Sequence, residues 1–279
     1  MLNYIRSELY RIFHRPGVYV TALILCGLTI AINSFLAFFP WEDYGEAVRE
    51  NVALTGISYA GLLSGAALFI PMGAVVAALL YTTVSRHGDL KNTVAFGLSR
   101  VTVFACKSII TILIATLLLA LTYGVWILCA SLLLEHGGPC TIIDLLFQVF
   151  ALYLIACANA LTVLLCFELF RRESIAFLAY IIVWVSIPVM LNTLGLHFDF
   201  IAQISGWLPY NFLQNTADPT TVASTTLANA GGTVSISVNQ TMGYIWTSAE
   251  GLRKCLISGA CGVTFCALAG WLALRRRDI

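Results

Sequence analysis

Charge is what this chain has least of. Fifteen Lys and Arg and 14 Asp and Glu make up 10% of its 279 residues, 59% are hydrophobic, and the mean hydropathy is +0.89. Those proportions exclude a water-soluble domain and describe a polypeptide built for lipid. A net charge of +1 without a clustered basic face excludes a nucleic-acid partner, since phosphate binding needs such a face on a water-exposed surface. Recognisable reaction chemistry is scarce as well. There is no GxxxxGK[ST] phosphate loop, no HExxH, no GxSxG and no CxxC, and no carboxylates are paired inside the apolar stretches. His14, His87, His136 and His197 sit at or beyond the ends of those stretches, so no base or ligand set gathers for an intramembrane enzyme. Of nine cysteines, Cys26, Cys129, Cys157, Cys166, Cys261 and Cys266 fall within apolar stretches and read as small apolar residues. Neither a disulfide framework nor a metal site is expected, although Cys140 and Cys255 could meet on the outer side.

What the sequence has is length without charge. About 20 helical residues cross roughly 30 Å of hydrocarbon, and six stretches meet that requirement: 17–41, 57–84, 108–134, 145–167, 174–197 and 255–274. The second belongs to an uncharged run from residue 52, longer than a span needs, so a loop or tilt is expected around Ile57 to Gly61. The first is too long for the apolar region of a signal peptide and should remain as a helix. With a cytoplasmic N-terminus, twelve Lys and Arg lie inside and only Arg49, Arg253 and Lys254 outside. That satisfies the positive-inside rule with both termini in the cytosol. Glu42, Asp43, Glu46 and Glu50 form a solvated outer cluster.

Three segments between the spans carry pattern. In residues 1–16, Leu2, Ile5, Leu9, Ile12 and Phe13 fall within an arc of about 100° on a helical wheel, opposite Asn3, Ser7, Glu8, Arg11, His14 and Arg15. A basic amphipathic helix of that kind lies in the membrane interface, and Pro16 with Gly17 ends it; a ragged charged tail is the plainer reading. In the inner loop from Ser85 to Arg100, Asp89 caps a short helix that puts Leu90 and Val94 on one face, and Gly97 closes it. Two turns are unstable alone in water, so this helix either docks on a partner or simply connects two spans. The outer segment 198–251 repeats Ile201, Ile204, Trp207, Leu208, Phe212 and Leu213 at helical spacing, interrupted by Pro209. One or two short helices dipping toward the outer leaflet, followed by a polar loop from Asn215 to Gln240, are expected. They either seal an outer mouth or anchor a surface loop with Trp207, Tyr210 and Trp246 at headgroup level.

Inside the spans, Gly61 and Gly65 form GxxxG, continued by Gly73 and Ala77, and Gly259, Gly262, Cys266 and Gly270 recur in the last span. Both stripes permit close helix approach, within one subunit or along a dimer seam. Pro71 and Pro188 can kink their helices. Asn33, Asn159 and Asn192 need hydrogen bonds, as helix glue or along a path. Glu168, the carboxylate nearest a span interior, is expected to pair with Arg171 or Arg172, or to snorkel.

The interfacial helix, the inner loop His87-Gly88-Asp89-Leu90-Lys91-Asn92-Thr93 followed by Gly97-Leu98-Ser99-Arg100 and Lys107, the six spans with a large last outer segment and the terminal Arg275-Arg276-Arg277-Asp278-Ile279 together resemble the permeases of ABC-2 type transporters. The likeness covers nearly the whole chain as architecture, through short and degenerate motifs. Within that family the chain looks most like the small permeases that expel peptide antibiotics such as bacitracin or lantibiotics from Gram-positive cells. The resemblance implies one all-α transmembrane domain, residues 1–279, in a bacterial cell membrane. It implies a second permease copy, identical or related, and two cytosolic ATPase subunits that bind the ATP and Mg, with no cofactor in this chain. It makes the helix carrying Asp89, Leu90, Lys91, Val94 and Phe96, with Arg100 after it, a coupling helix in the ATPase cleft, and the outer segment a gate. Gly61, Gly65, Asn33, Asn159, Pro188 and Asn192 become candidates for the pathway or dimer seam, and an amphipathic peptide or lipid-like cargo is implied. A self-sufficient carrier would bury acids near mid-membrane and show inverted repeats, neither of which is evident; a membrane scaffold or enzyme is the third reading.

Overall fold

The computed structural model describes residues 2–14, 16–39, 54–85, 100–137, 140–170, 172–214, 226–230, 233–237, 246 and 248–275. In chain order the elements are α1 Leu2–Phe13, α2 Pro16–Phe38, α3 Thr55–Ser85, α4 Arg100–Leu133, α5 Ile142–Leu169, α6 Glu173–Ile181, a π-helical turn Ile182–Ser186, α7 Ile187–Gly195, α8 Asp199–Ser205, α9 Pro209–Gln214, β1 Thr226–Ala230, β2 Thr233–Ser237 and α10 Ala249–Arg275. Five of the helical runs are long and apolar enough to cross a membrane: Pro16–Phe38, Val101–Leu133, Ile142–Leu169, Glu173–Gly195 and Ala249–Leu272. The chain is thus a helical membrane protein, and α3 adds a 31-residue helix without a charged residue.

Helix α5 is the axis. Two thirds of its most apolar stretch is buried (67%), against 11% for α2, whose Leu23, Ile24 and Phe38 face outward. In water such a surface would aggregate; in hydrocarbon it costs nothing. Helices α3, α4, α6 and α10 all pack on α5. Successive long helices run in opposite directions between two ends. At one, here the foot, Ile12, Val18, Ala77, Phe104 and Leu164 share an apolar cluster. At the other, Leu54 and Thr55 at the head of α3 meet Glu135 and Gly137 beyond α4.

Several element ends depart from expectation, each for a local reason. The loop or tilt expected at Ile57 to Gly61 is regular helix from Thr55. The Thr55 and Gly56 amides donate to the Glu135 and Gly137 carbonyls at 2.9 and 2.7 Å, satisfying donors that the first helical turn leaves open. Helix α10 begins six residues before the expected span, because Ser248 Oγ accepts from the Gly251 amide at 3.1 Å and Lys254 pairs with Glu250 at 2.6 Å. Helix α4 likewise reaches back to Arg100 instead of beginning near residue 108. Helix α5 is started by a capping box in which Asp144 accepts from the Thr141 amide at 2.8 Å. The expected polar loop from Asn215 to Gln240 contains an antiparallel hairpin, β1 with β2, pairing Thr226 with Ser237.

Both mid-span prolines were expected to kink their helices. Helix α3 continues through Pro71. At Pro188 the missing amide cannot reach the Trp184 carbonyl, and the helix absorbs the loss just before it: the Ile187 amide bonds to the Ile182 carbonyl, five residues back.

Candidate functional site

The foot is where charge enters the bundle. Lys107 stands seven residues into α4, about 10 Å along its axis. Its side chain is 3% exposed and its ammonium pairs with Glu168 of α5, itself mostly buried. Glu168, expected beside Arg171 and Arg172, pairs across helices with Lys107. Arg171 lies outside the described residues, and Arg172 is exposed at the head of α6. Lys107 had been treated as the edge of a span; the structure buries it. A buried pair of this kind fixes the lateral register of α4 on α5, since separating the partners strands a charge in low dielectric.

Beside it lies α1. Ile5, Leu9 and Ile12 turn toward Phe104, Ala77 and Leu164, with Ile12 only 1% exposed. Ile5, Leu9 and Ile12 of the apolar face therefore pack on the bundle, while Phe13 is 41% exposed. Glu8, expected on the solvated face, is buried and pairs with Arg11 at 3.2 Å. Leu2 opens the helix. Asp89, Leu90, Lys91, Val94 and Phe96 lie outside the described residues; Arg100 is the first residue of α4.

Higher up, polar side chains tie helices together. Ser58 Oγ donates to Asn33 Oδ1 at 2.7 Å and accepts from Trp126 Nε1 at 2.9 Å, joining α2, α3 and α4. Gln148 Nε2 donates to the Leu63 carbonyl at 2.9 Å, joining α5 to α3. Tyr180 donates to Asn159 Oδ1 at 3.1 Å, joining α6 to α5. Asn33 and Asn159 thus act as glue. Asn159 Nδ2, Trp184 Nε1 and Thr111 Oγ1 are buried without hydrogen-bond partners.

The two glycine stripes behave differently. Gly61 is exposed, with nothing among the described residues within 4 Å of where a Cβ would stand, and Gly65 is half-buried. In α10 an added Cβ at Gly259 would lie 2.6 Å from Leu154 Cβ, and at Gly262 2.8 Å from Ala158 Cβ. That stripe lets α10 lie directly against α5 within the subunit.

The expected short outer helices are α8 and α9, divided at Pro209. They go deeper than a surface anchor. Helix α9 packs on α3, α5 and α10, Phe212 and Leu213 are buried, and Pro209 approaches Gly262, halfway along α10. Two ties hold the segment. Asn192 and Asn211 exchange amide hydrogen bonds at 2.6 and 2.8 Å, fixing α9 to α7. Ser258 donates to the Trp207 carbonyl at 2.8 Å, fixing it to α10. Asn192 was singled out from sequence; Asn211, its partner, was not, because nothing in a 19-residue separation announces the pairing.

This strap roofs a cleft of about 680 Å³, open sideways, between α6–α7 and α10 with α5 as its floor. Trp184 and Pro188 form one wall, Cys261 and Phe265 the other, and Trp207 to Tyr210 the roof. Its lining contains no Asp, Glu, Lys, Arg or His. Such a cleft can hold apolar matter. Comparison with protein-family models, curated proteins and solved structures finds no match to this chain.

Proposed function

We propose that this chain is the membrane subunit of an ATP-driven exporter, crossing the bacterial cell membrane six times with both termini in the cytosol. Helix α3 supplies the sixth span, and two partner ATPase subunits supply ATP hydrolysis. The observation that carries this reading is the foot. Helix α1 packs on α3 and α4, the two helices joined by residues 86–99, and the α4–α5 charge pair stiffens the same end. A push delivered to that connection by a partner would travel as movement of α3 and α4 against α5, with α1 as brace. A second permease copy completes the assembly. The strap of α8 and α9 is the outer gate, and amphipathic peptide or lipid-like compounds are the cargo. The test is ATP hydrolysis by the partner ATPase reconstituted with this chain. Stimulation several-fold over the ATPase alone is expected, and its loss on replacing Leu90 and Val94 with Asp while the protein stays membrane-inserted. Unchanged stimulation by that double variant would remove residues 89–96 as the coupling contact.

A further inference from the structure

The cleft beneath the strap has a shape, a depth and a chemical lining that specify an occupant. Gly259 lies against Leu154 and Ile155, Gly262 against Ala158 and Cys266 against Thr162, so α5 and α10 run parallel in fixed register. That register carries Leu169 to the level of the last turn of α10. From Ala158 under the roof to Leu169 at the foot, the floor is about 16 Å long at 1.5 Å per residue, half of a hydrocarbon core roughly 30 Å thick.

Three features exclude other contents. The roof closes the upper end, held to both walls through Asn211 and the Trp207 carbonyl. The lining carries no charge and its rim residues Val183, Ile257 and Phe265 are exposed, so the opening faces the bilayer. Water gains little from such a surface, and a void of this size would forfeit dispersion contacts along its whole length. At the open foot the character changes abruptly. Phe170 lines the cleft there, and two residues on Arg172 is exposed.

We propose that this cleft is a lipid site that takes one acyl chain of an anionic phospholipid from the leaflet at the foot, with the phosphate beside Arg172. Basic residues next to an apolar slot bind an anionic headgroup through charge and the chain through burial. The site needs only the membrane-embedded fold and stands whether or not an ATPase partner exists.

The test places a photo-crosslinking benzoylphenylalanine at Phe265 in the cleft and, separately, at Leu23 on the outward face of α2, both highly exposed positions that tolerate bulk. The full chain is put into nanodiscs of equal phosphatidylglycerol and phosphatidylcholine, illuminated, and its adducts are weighed. Adducts at position 265 are expected to favour phosphatidylglycerol about fivefold, the effect of one arginine near the membrane surface, while those at position 23 follow the bulk mixture. Arg172→Glu should erase that preference, and Cys261→Trp, which fills the cleft from an exposed position, should cut adduct yield at 265 without changing it at 23. Equal composition at both positions would reduce the cleft to ordinary lipid-facing surface and overturn the proposal. A doubled-mass protein adduct at 265 would overturn it in favour of a second copy, and an absence of lipid adducts there would overturn it outright.

Discussion

At the scale of single residues, the decisive finding is that Lys107 is inside. A lysine at the edge of an apolar stretch reads as a boundary marker, because hydropathy treats each charge as a reason to stop. What the sequence does not display is Glu168 at the same depth, 61 residues later, which makes the burial tolerable. The asparagines were legible as costly groups needing partners; the partners Ser58, Tyr180 and Asn211 became visible only in three dimensions. Lys107→Ala should destabilise the protein by about 3 kcal/mol by removing the charge that Glu168 faces across the helices, and Lys107→Ala with Glu168→Ala should cost less than that single change. Thermal unfolding in detergent across the four-member cycle checks this, and additive losses would show that the two side chains act independently.

At the scale of elements, what the sequence announces is set by period and length. The amphipathic wheel of α1 and the uncharged runs predicted helices that the structure contains, with ends shifted where caps and backbone partners extend them. The wheel correctly marked Ile5, Leu9 and Ile12 as the apolar face but could not say whether that face meets lipid or protein, since both are apolar. The two short helices were legible from the apolar spacing broken at Pro209; the insertion of α9 among α3, α5 and α10 was not, because burial of a six-residue helix depends on contacts distant in sequence. The π-turn ahead of Pro188 and the β1–β2 hairpin are further features that composition did not reveal. The strap gives a prediction at this scale. Asn211→Leu removes the paired amide bonds to Asn192, so amide exchange across residues 199–214 should quicken at least several-fold while α5 keeps its protection. The cost is about 1 kcal/mol, typical of an interhelical hydrogen bond in a membrane. Unchanged exchange would mean that the Ser258–Trp207 bond and the packing of Phe212 and Leu213 hold the segment without the asparagine pair.

At the scale of the whole molecule, the bundle has two unlike ends. The foot gathers α1, the Lys107–Glu168 pair and the connection between α3 and α4; the far end is closed by α8 and α9 wedged between helices. Between them the described spans hold polar ties and an uncharged cleft, with no three His, Cys, Asp or Glu side chains gathered among the described residues. A molecule so arranged has places to be pushed and to open, and our account assigns the push to an outside engine. The most direct measurement is movement of a fluorescent amphipathic peptide in sealed proteoliposomes, with this chain alone and with its partner ATPase. The account predicts transport only when the ATPase and hydrolysable ATP are both present. Sustained uptake or release by the isolated chain, without nucleotide or companion, would contradict it.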